Sequence, residues 1–133
     1  MEGTFKARFR CWSAAFLAAA RTAGAVGAII SLSNVFPYTL VKLYNLIESG
    51  ASETEVLRLQ SLVTNYEEIM TTASVPGIRA TMGLLGLPAG HSRKPLPDAS
   101  PAEIDHLKRH IVDIAAEENR LRELVQAASE GNE

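Results

Sequence analysis

The stretch from Gly24 to Pro37, GAVGAIISLSNVFP, is the feature that most constrains the fold of this chain. Small residues lead into a short apolar run, and an Asn-Val-x-Pro sequence then begins a helix, because proline at the first helical position loses no hydrogen bond. The apolar run predicts a strand over 26–32. The other apolar stretches repeat at helical spacing, so the sequence predicts a mainly α protein with one strand.

This stretch resembles the last strand-to-helix unit of the pyruvate-dependent class I aldolases, the dihydrodipicolinate synthase and N-acetylneuraminate lyase family. The resemblance continues through Leu87 and the RKPLP segment at 93–97, and it covers about residues 11–125. A full member is a (β/α)8 TIM barrel of about 250 residues, whereas this chain has 133. The resemblance therefore implies a C-terminal barrel fragment, made of the last strand, the helices that follow and a C-terminal helical extension.

Two regions are expected. Residues 1–12 form an unmatched basic N-terminal segment, and residues 13–133 form the partial barrel region. Within the second region, Ser52 with Glu55 and Ser100 with Glu103 have the spacing of capping boxes, which mark helix starts. Four helices are predicted, over about 37–49, 53–73, 78–85 and 101–128.

The N-terminal part of the chain is basic. Residues 1–47 contain five basic residues and one acidic residue, whereas the remainder contains eight basic and fourteen acidic residues. Basic residues before the alanine-rich run at 11–20 are also typical of secretory leaders and mitochondrial presequences. The resemblance instead places a helix at 13–23, before the last barrel strand. We expect that structural role in a cytoplasmic protein, with a mitochondrial location as the alternative.

Neither a membrane nor a nucleic acid is an expected partner. Arg21 interrupts the apolar run well short of the ~20 residues that span a bilayer. The basic residues match no recognised nucleic-acid motif.

The chemistry that the resemblance implies needs a lysine. Class I aldolases form an imine between a 2-oxo acid, typically pyruvate, and a lysine at the end of a barrel strand. In the family this lysine belongs to the sixth strand, upstream of the matched region. The lysines of this chain, Lys6, Lys42, Lys94 and Lys108, follow no predicted strand. We expect a truncated lyase-like chain with no catalytic residue and no cofactor, and it stays open whether the chain is an enzyme.

Ile29 is the substrate-binding residue that the resemblance implies. It matches the family's last-strand residue that lines the keto-acid site and offers its backbone carbonyl. Upstream, Cys11-Trp12 replaces a small-residue and glycine pair, and tryptophan does not permit the close backbone approach that glycine allows. This part of the pocket is expected to be altered, with Cys11 as a buried structural thiol.

A metal site is not expected on the last helix. His106, His110 and Asp113 share one flank at i, i+4, i+7 spacing, which binds zinc only when further ligands complete the site. The HExxH glutamate is missing, so the flank is expected to be solvated.

The same helix carries an apolar stripe at heptad-like spacing. We expect the stripe to pack on the helix at 53–73. The alternative is an interaction helix that binds aldolase-family subunits or a second copy. Unpaired strand edges near 28–32 also favour self-association, and the resemblance implies a homo-oligomer. The stripe consists of Ile104, Leu107, Ile111, Ile114, Leu121 and Val125.

Overall fold

The computed structural model describes residues 9–131, and most of them are helical. Two 3₁₀ turns, Ala14–Phe16 and Ser31–Asn34, precede the first and second α-helices. Within the described residues no helix has the length and apolar character needed to cross a membrane. The helices are α1 (Leu17–Thr22), α2 (Pro37–Glu48), α3 (Glu53–Thr72), α4 (Ser74–Leu84), α5 (Pro101–His110) and α6 (Val112–Glu130).

Two extended segments, residues 9–11 and 26–29, pair in parallel on either side of α1; we call them the parallel bridge. The Val26 N–H donates to the Phe9 carbonyl at 3.0 Å, and the Cys11 N–H donates to the Gly27 carbonyl at 2.9 Å. The Ile29 N–H then donates to the Cys11 carbonyl at 2.8 Å. Parallel segments joined through a helix form a βαβ unit.

The predicted strand over 26–32 is wrong in extent. Pairing stops at Ile29, and Ser31–Asn34 forms a 3₁₀ turn instead. Within residues 9–131 the segment has one neighbour, so no second ladder extends it. Local side-chain bonds favour the turn, since the Ser33 hydroxyl donates to the Ile30 carbonyl at 2.6 Å.

The start of α1 belongs to the core. Ala14 and Leu17, from the alanine-rich run that also resembles a leader, are buried together with residues from every later helix except α4. In the folded chain, the alanine-rich run therefore has a structural role as part of the core. Its partners in the core include Ile30, Leu32, Phe36, Leu43, Leu59, Val63, Tyr66, Met70, Leu107 and Ile114.

One buried polar pair ties α3 to α4. The Thr81 hydroxyl donates to the Gly77 carbonyl at 2.9 Å, so the Tyr66 hydroxyl is the donor in its 2.9 Å bond to Thr81. Burial raises the pKa of Tyr66, although the bond to Thr81 opposes this. The Tyr66 ring also packs edge-to-face on Phe36, with centroids 5.3 Å apart. Tyr66 is thus a neutral core residue.

Helix α4 begins at Ser74, four residues before the predicted start at Ile78. Ser74 has a φ of +52°, a left-handed conformation that ends α3 and redirects the chain. The buried Gly77 then lies against the end of α3, where a Cβ would be 2.7 Å from the Met70 carbonyl oxygen. This close approach explains why glycine stands at position 77.

The predicted helix over 101–128 is two helices that meet at Ile111. The Ile111 N–H still donates to Leu107 and its carbonyl still accepts from Ala115, so the chain bends without losing these bonds. The apolar stripe is buried within this chain at Leu107, Ile111, Ile114 and Leu121. The prediction that the stripe packs within this chain is confirmed. The alternative, in which the helix binds another subunit, is not favoured.

Glu118 interrupts the stripe, and its buried carboxylate caps α2. It accepts hydrogen bonds from the Tyr38 N–H at 3.0 Å, the Thr39 N–H at 2.8 Å and the Thr39 hydroxyl at 2.7 Å. Phe36, the residue before α2, provides no side-chain cap. Since the first N–H groups of a helix have no partners within it, the C-terminal extension completes α2.

The neighbouring Glu117 is held by two arginines. Its carboxylate accepts from Arg120 at 2.8 and 3.0 Å and from Arg58 at 3.0 Å. The hydrogen bonds from Arg120, and then those from Arg58, lower the pKa of Glu117 from 4.5 to about 2. Because the folded-state pKa is the lower one, this contact stabilises the fold above about pH 4.5, and the stabilisation is lost as the pH falls towards 2.

Replacing Arg58 with alanine is expected to cost about 0.5 kcal/mol of unfolding free energy at pH 7, as for other exposed ion pairs. The cost should shrink as the pH falls towards 2, because Glu117 becomes protonated over this range. Urea denaturation at both pH values measures this, with Arg109→Ala as a control that removes an exposed arginine elsewhere on the protein. A cost for Arg58→Ala that is the same at both pH values contradicts the assignment.

Candidate functional site

An open cleft of about 610 Å³ lies beside the carboxyl ends of the parallel bridge. Trp12 and Ser13 follow the first segment, Ser31 lies just beyond the second, and α3 provides the opposite wall. In parallel α/β proteins, functional sites lie at the carboxyl ends of the strands. We therefore take this cleft as the candidate site. Its lining consists of Trp12, Ser13, Ala15, Phe16, Ser31, Thr64, Glu67, Glu68, Thr71 and Thr72.

Glu67 is the buried charged residue of the cleft. Its carboxylate accepts from the Ala14 N–H at 2.8 Å, the Ala15 N–H at 2.6 Å and the Ser13 hydroxyl at 2.6 Å. These are donors at the start of a helical segment, where an acidic group is favourable. Because both carboxylate oxygens are engaged, Glu67 holds the wall of the cleft and is not a free base.

Gln60 extends this support towards α1. Its side-chain oxygen accepts from the Ala18 N–H at 3.0 Å, and its amide donates to the Ala14 carbonyl at 2.8 Å. Side chains of α3 thus bind backbone N–H and carbonyl groups in the 3₁₀ turn Ala14–Phe16 and in α1. The backbone around Trp12 and Phe16 is held in place, while these two aromatic side chains are 78% and 66% exposed.

The structure places the predicted residue Ile29 on the parallel bridge, outside the lining of the cleft. Ala28 and Ile30 pack on the core, whereas the Ile29 side chain is 53% exposed. Cys11 is buried, and its thiol donates to the Ser13 carbonyl at 2.9 Å. The prediction of a structural thiol at Cys11 is confirmed.

The lysines do not converge on the cleft. Lys42 lies on α2, Lys94 in the loop before α5, and Lys108 on α5, and all three are exposed. Lys6 lies outside the described residues. Among residues 9–131, therefore, no lysine follows either segment of the parallel bridge.

The histidines of the last predicted helix are exposed. The ring centroids of His106 and His110 are 4.5 Å apart, and the His110 Nδ1 donates to the His106 carbonyl at 2.8 Å. Asp113 is exposed on the following helix. The described part of the chain has no group of three or more side chains placed to hold a metal ion.

Comparison with known proteins identifies relatives of this architecture. The sequence matches the model of the Dihydrodipicolinate synthetase family over residues 4–114. This range begins nine residues before the predicted boundary at Ser13.

Two Rhizobium meliloti proteins are similar to the chain. It is 33% identical over 91 residues to a DapA-like lyase, covering 66% of this chain and 30% of the relative. It is 31% identical over 94 residues to an N-acetylneuraminate lyase, covering 70% and 31%. The chain thus spans about a third of the length of these relatives.

The solved structures agree with these sequence relatives. Dihydrodipicolinate synthase from Oceanobacillus iheyensis superposes with a TM-score of 0.71 at 27% identity. The superposition covers 82% of this chain and 38% of the synthase chain.

Proposed function

The chain belongs to the dihydrodipicolinate synthetase family, as a C-terminal part of its (β/α)8 barrel, and we propose that it forms part of a lyase that acts on a 2-oxo acid such as pyruvate. The reaction is imine-forming aldol cleavage or condensation. In this proposal the nucleophilic lysine comes from barrel strands outside the described residues. The chain supplies one wall of the site and is catalytically silent alone.

The observation that carries this proposal is the position of the lysines. A lysine becomes nucleophilic when it is desolvated or lies beside another cation. Lys42, Lys94 and Lys108 are exposed and lie away from the carboxyl ends of the parallel bridge. Glu67, the buried acid of the cleft, is already engaged by three donors. The described residues therefore place no lysine amine at the cleft, and the buried acid of the cleft is not free to act as a base.

Imine trapping tests the proposal. Borohydride added with pyruvate reduces any imine to a stable adduct, which intact-mass spectrometry detects. We expect no stoichiometric adduct on this chain, whereas the N-acetylneuraminate lyase from Rhizobium meliloti, treated in parallel, serves as the positive control. A stoichiometric adduct at one lysine of this chain would show that it carries the activated amine itself.

We propose that Ile29 faces the substrate once the barrel is complete. The support is its exposed side chain on the side of the parallel bridge that lies away from the core. In the completed enzyme, Ile29→Ala is expected to raise KM for the 2-oxo acid. An unchanged KM contradicts this role.

We further propose that the isolated chain self-associates weakly through the parallel bridge, because the apolar Ile29 and Val26 are exposed beside unpaired backbone. Sedimentation velocity should show a coefficient that rises with concentration in the native chain, with a smaller rise in Ile29→Lys. Ile30 is unsuitable for this change because it is buried. A monomer across the whole concentration range contradicts the proposal.

A cytoplasmic location is proposed, with mitochondrial import as the alternative that Arg10 and the other N-terminal basic residues support. Ala14 and Leu17 are buried in the core, so a cleaved leader that included them would open it. A fluorescent protein fused to the C-terminus distinguishes diffuse from mitochondrial fluorescence, and the mitochondrial result contradicts the proposal.

A further inference from the structure

A small pocket lies where α3 meets the end of α5 and the start of α6, and we call it the junction pocket. It is lined by different residues of α3 from those that line the candidate cleft, so it is a separate site. Its volume is about 260 Å³. Drug-sized ligands occupy pockets of about 300 Å³ or more, so the junction pocket is suited to a smaller molecule.

The polar side chains of the junction pocket are Asn65 of α3, Arg109 and His110 of α5, and Asp113 of α6. The Asn65 amide, the Arg109 guanidinium and the Asp113 carboxylate have no hydrogen-bond or ion-pair partner among residues 9–131. These groups comprise donors of both the neutral and the cationic kind and a carboxylate acceptor. All of them are therefore available to a ligand.

Arg109 and Asp113 carry opposite charges at positions four apart. On a straight α-helix, this spacing often brings such charges together in an ion pair. Here the chain bends between them at Ile111, where α5 ends and α6 begins, and the ion pairs of the described residues involve other side chains. The pocket therefore presents a positive group and a negative group that do not neutralise each other.

His110 adds an acceptor, and α3 adds an apolar surface. The His110 Nδ1 donates to the His106 carbonyl at 2.8 Å, so Nε2 of the neutral ring carries a lone pair. Leu62 and Ile69, both half-buried, form the apolar part of the lining. The pocket thus combines a cation, two kinds of acceptor and a small apolar surface.

We propose that the junction pocket binds a free α-amino acid with a small apolar side chain. Arg109 and the Asn65 amide donate to the α-carboxylate, since a guanidinium binds a carboxylate through two parallel hydrogen bonds. The Asp113 carboxylate and the His110 Nε2 accept from the α-ammonium, and the apolar side chain lies against α3. A simple anion is repelled by Asp113 and a simple cation by Arg109. This inference does not rest on the proposed function.

An NMR titration of the full chain with L-leucine tests the proposal. The resonances of the Asn65 side-chain amide should shift and saturate with a Kd of about 10 mM or tighter, which a low ligand efficiency gives for a molecule of this size. Two analogues keep the apolar tail, but 4-methylpentanoate lacks the ammonium and 3-methylbutylamine lacks the carboxylate. Each should bind at least about tenfold more weakly, because hydrogen bonds between charged groups are lost.

Two substitutions that each remove one charge locate the site. Arg109→Gln and Asp113→Asn should each weaken the binding of L-leucine at least about tenfold. Lys108→Gln and Asp105→Asn are the matched controls, because they change exposed residues of α5 outside the pocket, and binding should stay the same. Circular dichroism of the four variants should match that of the native chain, since all four side chains are exposed.

The absence of saturable binding to the native chain overturns the proposal. Binding that Arg109→Gln and Asp113→Asn leave unchanged also overturns it, because the ligand then lies elsewhere. Equal affinity for L-leucine and either analogue has the same consequence, since one of the two charges then contributes nothing. An Arg109 guanidinium resonance that moves on Asp113→Asn in the ligand-free chain would show that the two charges pair with each other, and would overturn the proposal as well.

Discussion

Replacing Glu118 with alanine is expected to lower the free energy of unfolding by about 3 kcal/mol, because buried donors lose their only acceptor. The variant leaves the Tyr38 and Thr39 N–H groups and the Thr39 hydroxyl without this carboxylate. It also removes a negative charge from the positive end of α2. Urea denaturation followed by circular dichroism measures the loss.

Two further variants separate capping from charge. Glu118→Gln keeps one acceptor oxygen but turns an amide donor towards the N–H groups, so it should cost about 1–2 kcal/mol. Glu123→Ala removes an exposed acid from the same helix and should change stability by less than about 0.5 kcal/mol. If Glu118→Ala costs no more than Glu123→Ala, the carboxylate is not the cap of α2.

Two glycines of α4 are expected to respond to the same substitution with opposite signs. In Gly77→Ala, the new Cβ lies 2.7 Å from the Met70 carbonyl oxygen and 2.8 Å from the Ala73 Cβ. Relieving this overlap forces α3 and α4 apart, and a net loss of about 2 kcal/mol is expected. Gly83→Ala meets no atom within 4 Å and should gain about 0.5–1 kcal/mol from helix propensity.

Thermal unfolding of the two variants, measured side by side, decides the matter. Each carries the same chemical change in the same helix, so differences in helix propensity largely cancel. A gain in stability for Gly77→Ala as well would show that α3 and α4 do not approach as closely as the structure has them.

The sequence predicted the helices well because apolar periodicity and caps are local signals. Ser100, Pro101 and Glu103 illustrate this, since the predicted capping box is present with both of its reciprocal hydrogen bonds. The split of the last helix at Ile111 carries no such signal, because neither proline nor glycine is there and the backbone bonds persist. A bend of this kind depends on packing, which a single helix pattern does not reveal.

The buried carboxylates were not predicted as helix caps, although a signal for each was present. Glu118 interrupts an otherwise apolar stripe, and Glu67 lies four residues after the core residue Val63, on the same side of α3. A charge at a core-facing position is retained only when it has partners. The partners are 79 and 53 residues away in sequence for Thr39 and Ala14, so spacing alone does not identify them.

The extent of the predicted strand depended on neighbours that the described chain does not contain. Residues 26–32 have the composition of a buried barrel strand, and a strand of that kind is paired on both edges. With a single neighbour at 9–11, only residues 26–29 pair. The predicted strand is therefore longer than the observed bridge because the described residues provide only one of the two neighbouring strands.

The residue on which the imine forms shows whether this chain completes a lyase whose reactive lysine lies elsewhere. The part of the Rhizobium meliloti N-acetylneuraminate lyase that precedes its match to this chain is fused to the N-terminus of this chain, and the fusion is treated with pyruvate and borohydride and digested for peptide mass mapping. We expect one reduced adduct, on a lysine of the lyase part, with Lys42, Lys94 and Lys108 unmodified. A single stoichiometric adduct on one of these three lysines would contradict this expectation.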